Sequence, residues 1–171
     1  SKLVSGNLRE LDASQAGGSM TELSPFPLMS ILKLLGRDIK KIHYFSKMSN
    51  GVDIFTKGIF VYDSAIATIT LGLGVKTEGD LVVSGTKGYI IVPSPWWLTS
   101  YFEMRFEDQN LNKKYFYSYL GDGLRYEIQE FASMILQGRL SSYKLPKEDS
   151  VKMAEIIEDF LRNNDNKVIL T

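Results

Sequence analysis

Gly85-Thr86-Lys87-Gly88-Tyr89-Ile90-Ile91-Val92-Pro93 reads as a tight turn between two glycines feeding a strand whose side chains alternate toward a buried face. Glycine suits such a turn because, lacking a Cβ, it reaches positive φ at little cost. On the N-terminal side of this turn lie short β-rich runs: Ile42-His43-Tyr44-Phe45, Val52-Asp53-Ile54-Phe55, Gly58-Ile59-Phe60-Val61-Tyr62, residues 65–71 and Leu81-Val82-Val83. On the C-terminal side, residues 101–106 and 113–119 continue the pattern. Gly, Asn, Asp, Ser or Pro bounds each run, which is how consecutive antiparallel strands joined by turns appear in a sequence.

Helical periodicity flanks this block. Ser24 is a good N-cap for Pro25 and Pro27, the series Leu28, Ile31, Leu32, Leu35 has helical spacing, and Gly36 stands where a C-terminal glycine usually does. Leu124, Ile128, Phe131, Ala132 and Ile135 precede Gly138; Val151, Ala154, Ile157 and Leu161 precede Asn163-Asn164. Two C-terminal helices are expected there. Strands in one continuous run, flanked by helices and without βαβα alternation, predict an α+β fold: an open, mostly antiparallel sheet with helices packed on one face. Aromatic residues fall on both faces of the strands, so a partner is expected to cover the second face.

The chain has 171 residues, the size of a single domain spanning 1–171, and is large enough to bury a core of its own. Its 20 basic and 20 acidic residues balance, which argues against a nucleic-acid role for the chain as a whole. With no cysteine and one histidine there is neither a disulfide framework nor a thiolate metal site, and no metal centre is expected. No apolar run reaches the roughly eighteen residues that span a bilayer, and the N-terminus lacks the layout of a signal peptide. A cytoplasmic location without membrane contact is expected. Beginning at Ser1 without an initiator Met, the chain reads as a fragment of something longer.

Two glycine pairs invite comparison with a dinucleotide fingerprint. Gly72-Leu73-Gly74-Val75-Lys76-Thr77 puts Thr where the third glycine belongs and is not followed by a helical pattern; Gly121-Asp122-Gly123 opens a helix, but Arg125 and Tyr126 follow. Neither is expected to bind a cofactor.

Taken with Gly17-Gly18-Ser19-Met20-Thr21-Glu22 upstream and Gly121-Asp122-Gly123-Leu124-Arg125-Tyr126-Glu127 downstream, the 85–93 stretch resembles the C-terminal domain of the glucose-fructose oxidoreductase / inositol dehydrogenase / rhizopine-catabolism (Gfo/Idh/MocA) family. The resemblance runs over residues 16–160. It implies an intact NAD(P)-dependent oxidoreductase that passes hydride between NAD or NADP and a secondary alcohol or carbonyl of a sugar, cyclitol or nucleotide sugar. The family's own N-terminal Rossmann domain, which supplies the cofactor site and a Glu-Lys-Pro lysine, is absent from this chain. The chain alone is therefore expected to be inactive, a substrate-facing and oligomerising domain that forms a homo-oligomer through its sheet.

The resemblance also suggests site residues. Where the family carries an Asp and, four residues on, a His or Tyr facing the reacting carbon, this chain has Glu22 and Phe26. A phenyl ring can neither titrate nor relay a proton. Glu22 remains as the catalytic candidate, able to orient a lysine or a sugar hydroxyl, although a carboxylate beside a first helical turn is also a common capping device. Phe26 favours the rival reading, a non-catalytic binding or assembly module that retains the fold. His43, mid-strand between Ile42 and Tyr44, has no visible partner and reads as structural or exposed. Trp96 and Trp97 offer indole faces for a sugar ring or for packing, and Arg125 and Tyr126 at a helix start offer contacts to an anionic or hydroxylated substrate.

Overall fold

The computed structural model describes residues 8–163 and 165–170, so Asn164 of the expected helix end lies outside the described residues. The strand pattern condenses into two four-stranded sheets rather than one. The backbone correspondingly clusters into two compact units, one formed by residues up to Thr77 and from Tyr143 onward, the other by Glu78–Ser142.

In the first unit, β1 (Lys41–Ser49), β2 (Val52–Val61) and β3 (Ile66–Gly72) form an antiparallel meander. The expected runs 52–55 and 58–62 are one strand. Gly58 does not break it: it stays in register with Tyr44 on β1 and Ile69 on β3, and glycine suits the position because a Cβ there would press on Ile69 at 3.0 Å and on Phe60 at 3.1 Å. Period-two alternation sends Tyr44 and Phe60 inward and leaves their neighbours Phe45 and Ile59 on the other face. The inward face meets α1 (Ser19–Leu23), α2 (Pro25–Leu35) and α4 (Lys147–Arg162) in a core of Met20, Leu28, Ile31, Tyr44, Phe60, Ile69, Leu71, Ile156 and Phe160. Tyr44 packs edge-on against both Phe60 and Phe160, with centroids 6.4 and 4.9 Å away. Burial, and secondarily the Asp159 charge, push its phenol above the usual range. Lys33 of α2 and Arg37, just past its Gly36 cap, hold the buried Asp149 at the start of α4, each at 3.5 Å.

Two features of this unit depart from the sequence reading. Ser24 caps nothing: its backbone is right-handed helical, α1 runs straight into α2, and its buried hydroxyl finds no partner among the described residues. A fourth strand, β8 (Lys167–Leu170), joins the sheet in parallel beside β1, with Tyr44 opposite Lys167.

The second unit holds an antiparallel sheet in the order β4 (Leu81–Gly85), β5 (Gly88–Val92), β6 (Tyr101–Phe106), β7 (Lys113–Phe116), together with the helix α3 (Leu124–Leu136). The 85–88 turn forms as read, with Gly85 opposite Gly88, but neither glycine has positive φ. Gly88 is required for another reason: a Cβ would stand 2.4 Å from the Arg105 carbonyl on the next strand. On one face of this sheet Arg105 donates to Glu103 (2.7 Å) and lies over Tyr89, while Lys114 reaches Glu103 at 3.1 Å. These two cations hold the Glu103 carboxyl below its ordinary range, chiefly through hydrogen bonds. The 113–119 run ends as a strand at Phe116, with one further bond from the Tyr117 N–H to the Ser100 carbonyl at 2.7 Å.

The α+β class, with open and mostly antiparallel sheets, is therefore as expected. Among the described residues no helix is long and apolar enough to cross a membrane.

Candidate functional site

The Gly17-Gly18 pair is a fold-back. Two short 3-10 turns, Arg9–Leu11 and Ala13–Gln15, lead to Ala16 in the left-handed region (φ 56°). From there the Gly17 N–H donates to the Asp12 carbonyl at 2.9 Å and the Gly18 N–H to the Glu10 carbonyl at 2.8 Å. A Cβ on Gly17 would stand 2.6 Å from that same Glu10 oxygen, so only glycine allows so close a return.

The return brings Arg9 onto α1, where its Nη2 lies 2.8 Å from both carboxylate oxygens of Glu22. Glu22 is thus ion-paired rather than acting as a helix cap, and its hydrogen bond and charge raise the Arg9 guanidinium further above its already high range. The Glu22 side chain is 22% exposed and that of Arg9 52%, which leaves the carboxylate reachable from solvent. Phe26 follows four residues later on the same helical backbone and is half exposed. Glu22 can accept hydrogen bonds from a hydroxyl or an ammonium, and Phe26 offers only an apolar surface.

The remaining candidates belong to the second unit. Trp96 and Trp97 sit in a single 3-10 turn, Trp96–Leu98, with their rings edge to face at 6.1 Å. The Trp96 backbone N–H donates to the Gly79 carbonyl at 3.1 Å, which anchors the turn, and Trp97 is 53% exposed and open to a ligand. Arg125 and Tyr126 begin α3. The Tyr126 hydroxyl accepts from the Leu120 N–H at 2.8 Å and its ring meets Tyr119 at 5.8 Å, while the Arg125 guanidinium curls beside Gly121. These contacts close the Gly121–Gly123 loop. Among the described residues no hydrogen bond or ring contact joins the tryptophans to Arg125 or Tyr126. His43 lies on the outward face of β1 opposite Ile59, where no hydrogen-bond partner of its ring is seen among the described residues.

Sequence reading missed Asp53. It is 3% exposed and accepts from Ser19 Oγ (2.6 Å), the Met20 N–H (2.9 Å) and Thr56 Oγ1 (2.6 Å). Thr56 is bonded in turn to Ser46 at 2.9 Å. An acid inside the apolar run Val52-Asp53-Ile54-Phe55 was the available signal, since a buried carboxylate must be supplied with donors.

No protein-family model matches the chain. It is 27% identical over 161 residues to a trans-1,2-dihydrobenzene-1,2-diol dehydrogenase of Oryctolagus cuniculus, a match covering 89% of this chain and 49% of that protein. Its fold matches KijD10, a 3-ketoreductase from Actinomadura kijaniata solved with NADP and TDP-benzene, at a TM-score of 0.77 and 16% identity, covering 98% of this chain and 51% of that one. An aldose-aldose oxidoreductase from Caulobacter crescentus, complexed with glycerol, matches at 0.73 and 16% identity over 91% of this chain and 48% of its own. The chain thus spans about half the length of the relatives it matches. All three relatives are of the Gfo/Idh/MocA family, and the chain, similar to one of them in sequence and to two in architecture, has the C-terminal-domain fold of that family.

Proposed function

We propose that this chain is the substrate-facing and oligomerising C-terminal half of a cytoplasmic NAD(P)-dependent oxidoreductase acting on a sugar, cyclitol or nucleotide sugar. The observation that carries the reading is the Gly17-Gly18 fold-back, which presents a solvent-reachable Glu22 from α1 within a fold shared with a 3-ketoreductase and an aldose-aldose oxidoreductase. Among the described residues, the glycine turn after β3 does not fit the dinucleotide. Gly72-Leu73-Gly74 closes β3 without opening a helix, and a Cβ on Gly72 would collide with Val75 at 2.2 Å, so this turn is packed by its own chain. In this reading, nicotinamide and its hydride would be supplied from the part of the relatives' length that this chain does not span. In the first unit, Glu22 would accept a hydrogen bond from a substrate hydroxyl and orient it. In the second, taken by itself, the exposed Trp97 would stack on a sugar ring with Trp96 edge-on to the Trp97 indole, and Arg125 and Tyr126 are the further substrate contacts proposed.

The test uses the complete polypeptide, with the Rossmann half in place, assayed with NADH or NADPH against ketosugars and sugar alcohols. Turnover is expected, falling at least tenfold, about 1.4 kcal/mol, in Glu22→Gln and little in His43→Gln. The opposite ranking overturns the site assignment. The isolated chain should show no saturable NAD(P)(H) binding tighter than about 1 mM.

Self-association through the first sheet is part of the same reading. Its outward face carries Phe45, Phe55, Ile59, Val61, Val168 and Leu170, interleaved with Lys41, Lys47 and Lys57. Pairing two copies across a two-fold axis buries this apolar set twice while the lysine stems reach outward. Sedimentation equilibrium at micromolar concentration should give a dimer mass, and monomer mass throughout would refute it. Phe26, half exposed where the family places an acid or base, favours a second reading: an assembly module without turnover. Dimerisation of a complete polypeptide that transfers no hydride would select it.

A further inference from the structure

Asp53 faces the helices only because β2 contains an extra residue. Thr56, Gly58 and Phe60 alternate inward, so an unbroken strand would send Ile54 inward and Asp53 out. Instead Lys47 pairs with Phe55 and Met48 with Asp53, leaving Ile54 unpaired in a bulge that turns the carboxylate into the core. There it lies under the start of α1.

All three donors converge on one oxygen, Oδ2: Ser19 Oγ, the Met20 N–H and Thr56 Oγ1, at 2.6, 2.9 and 2.6 Å. Its Oδ1 faces Gly18, where a Cβ would approach to 2.4 Å. The charge of Lys167, opposite Tyr44 on β8, also acts on it. Gly18, the residue before α1, has no side chain to cap the helix, so a carboxylate from another strand takes over that task for the Met20 N–H. The charged residue of this short helix is Glu22, whose own N–H returns to the Gly18 carbonyl at 3.1 Å. Any shift of Gly18 and Ser19 is thereby handed to Glu22 through one hydrogen-bonded turn. Burying a carboxylate is a costly way to fill space, but it fixes the direction of three donors at once.

We propose that Asp53 is the positioning residue of the Glu22 site: with the bulge at Ile54 it sets the height and rotation of α1, and so where the Glu22 carboxylate stands. This rests on the reading of Glu22 as substrate-facing.

Two measurements test it on Asp53→Asn and on the milder Thr56→Val, with Ile156→Val as a core control. In this chain, amide hydrogen exchange at Met20 and Glu22 should speed up at least tenfold in Asp53→Asn, and less in Thr56→Val, while β2 and β3 amides keep their wild-type rates. In the complete polypeptide, kcat per folded molecule should fall at least tenfold with KM for NADPH unchanged, whereas Ile156→Val lowers the melting temperature without changing kcat. Unaltered exchange at Met20 and Glu22, or a kcat per folded molecule equal to wild type beside a lowered melting temperature, overturns the proposal. A wild-type polypeptide without turnover removes instead the functional reading of Glu22, and the exchange pattern then decides by itself whether Asp53 holds α1.

Discussion

Phe160→Ala is expected to lower the unfolding free energy by about 3–5 kcal/mol, the usual cost of emptying a phenyl site in a packed core. Phe160 is 2% exposed, sits edge-on to Tyr44 at 4.9 Å and carries the Lys167 ammonium 4.2 Å from its ring centre. It therefore joins α4 to β1 and β8 at one point. Little nearby can collapse into the gap, because Tyr44 is itself clamped by Phe60 on another side. Urea titration should show a lower midpoint with an unchanged slope. Leu161→Ala, one residue on but 54% exposed, should cost less than about 1 kcal/mol. Similar losses at the two positions would show that α4 is not anchored through Phe160.

Gly18→Ala is expected to cost about 3 kcal/mol or more, from two sources. Gly18 has φ 123° and ψ 152°, a region essentially reserved for glycine, which contributes about 1–3 kcal/mol of strain. The new methyl would also meet the Asp53 Oδ1 at 2.4 Å and displace a carboxylate that three buried donors depend on, each orphaned donor costing about 1–3 kcal/mol. Gly36→Ala separates the two effects. Gly36, at φ 83° and ψ −172°, has the same backbone cost of about 1–3 kcal/mol, but nothing lies within 4 Å of its missing Cβ, so only that cost applies. Thermal unfolding of the two variants should differ accordingly, and equal shifts would mean that Asp53 yields freely.

The strands were largely legible because side-chain alternation is local: whichever way the strand lies, Tyr44 and Phe45 must point apart. The 85–88 turn was legible for the same reason, although its glycine is dictated by the Arg105 carbonyl on a neighbouring strand rather than by the turn's own φ. Five-residue α1 is too short to show a helical period, so Ser24 was read as a cap when it is the joint between two helices. β8 gives four residues of pattern and pairs with β1 across more than a hundred residues of chain, a separation no local signal encodes.

At the site, the Gly17-Gly18 motif, Glu22 and the phenyl at Phe26 could be read from the amino acids alone, and with them the resemblance to the Gfo/Idh/MocA C-terminal domain. Local spacing restricts backbone shape and residue chemistry, which is why these survived into three dimensions. Only the tertiary structure decided that Glu22 is tied to Arg9, that the strands divide between two sheets, and that Asp53 points inward beneath α1. Each of these depends on distant segments meeting: a thirteen-residue return through the glycine pair, the register of one strand on another, and a single unpaired residue at Ile54 that reverses which face an acid occupies.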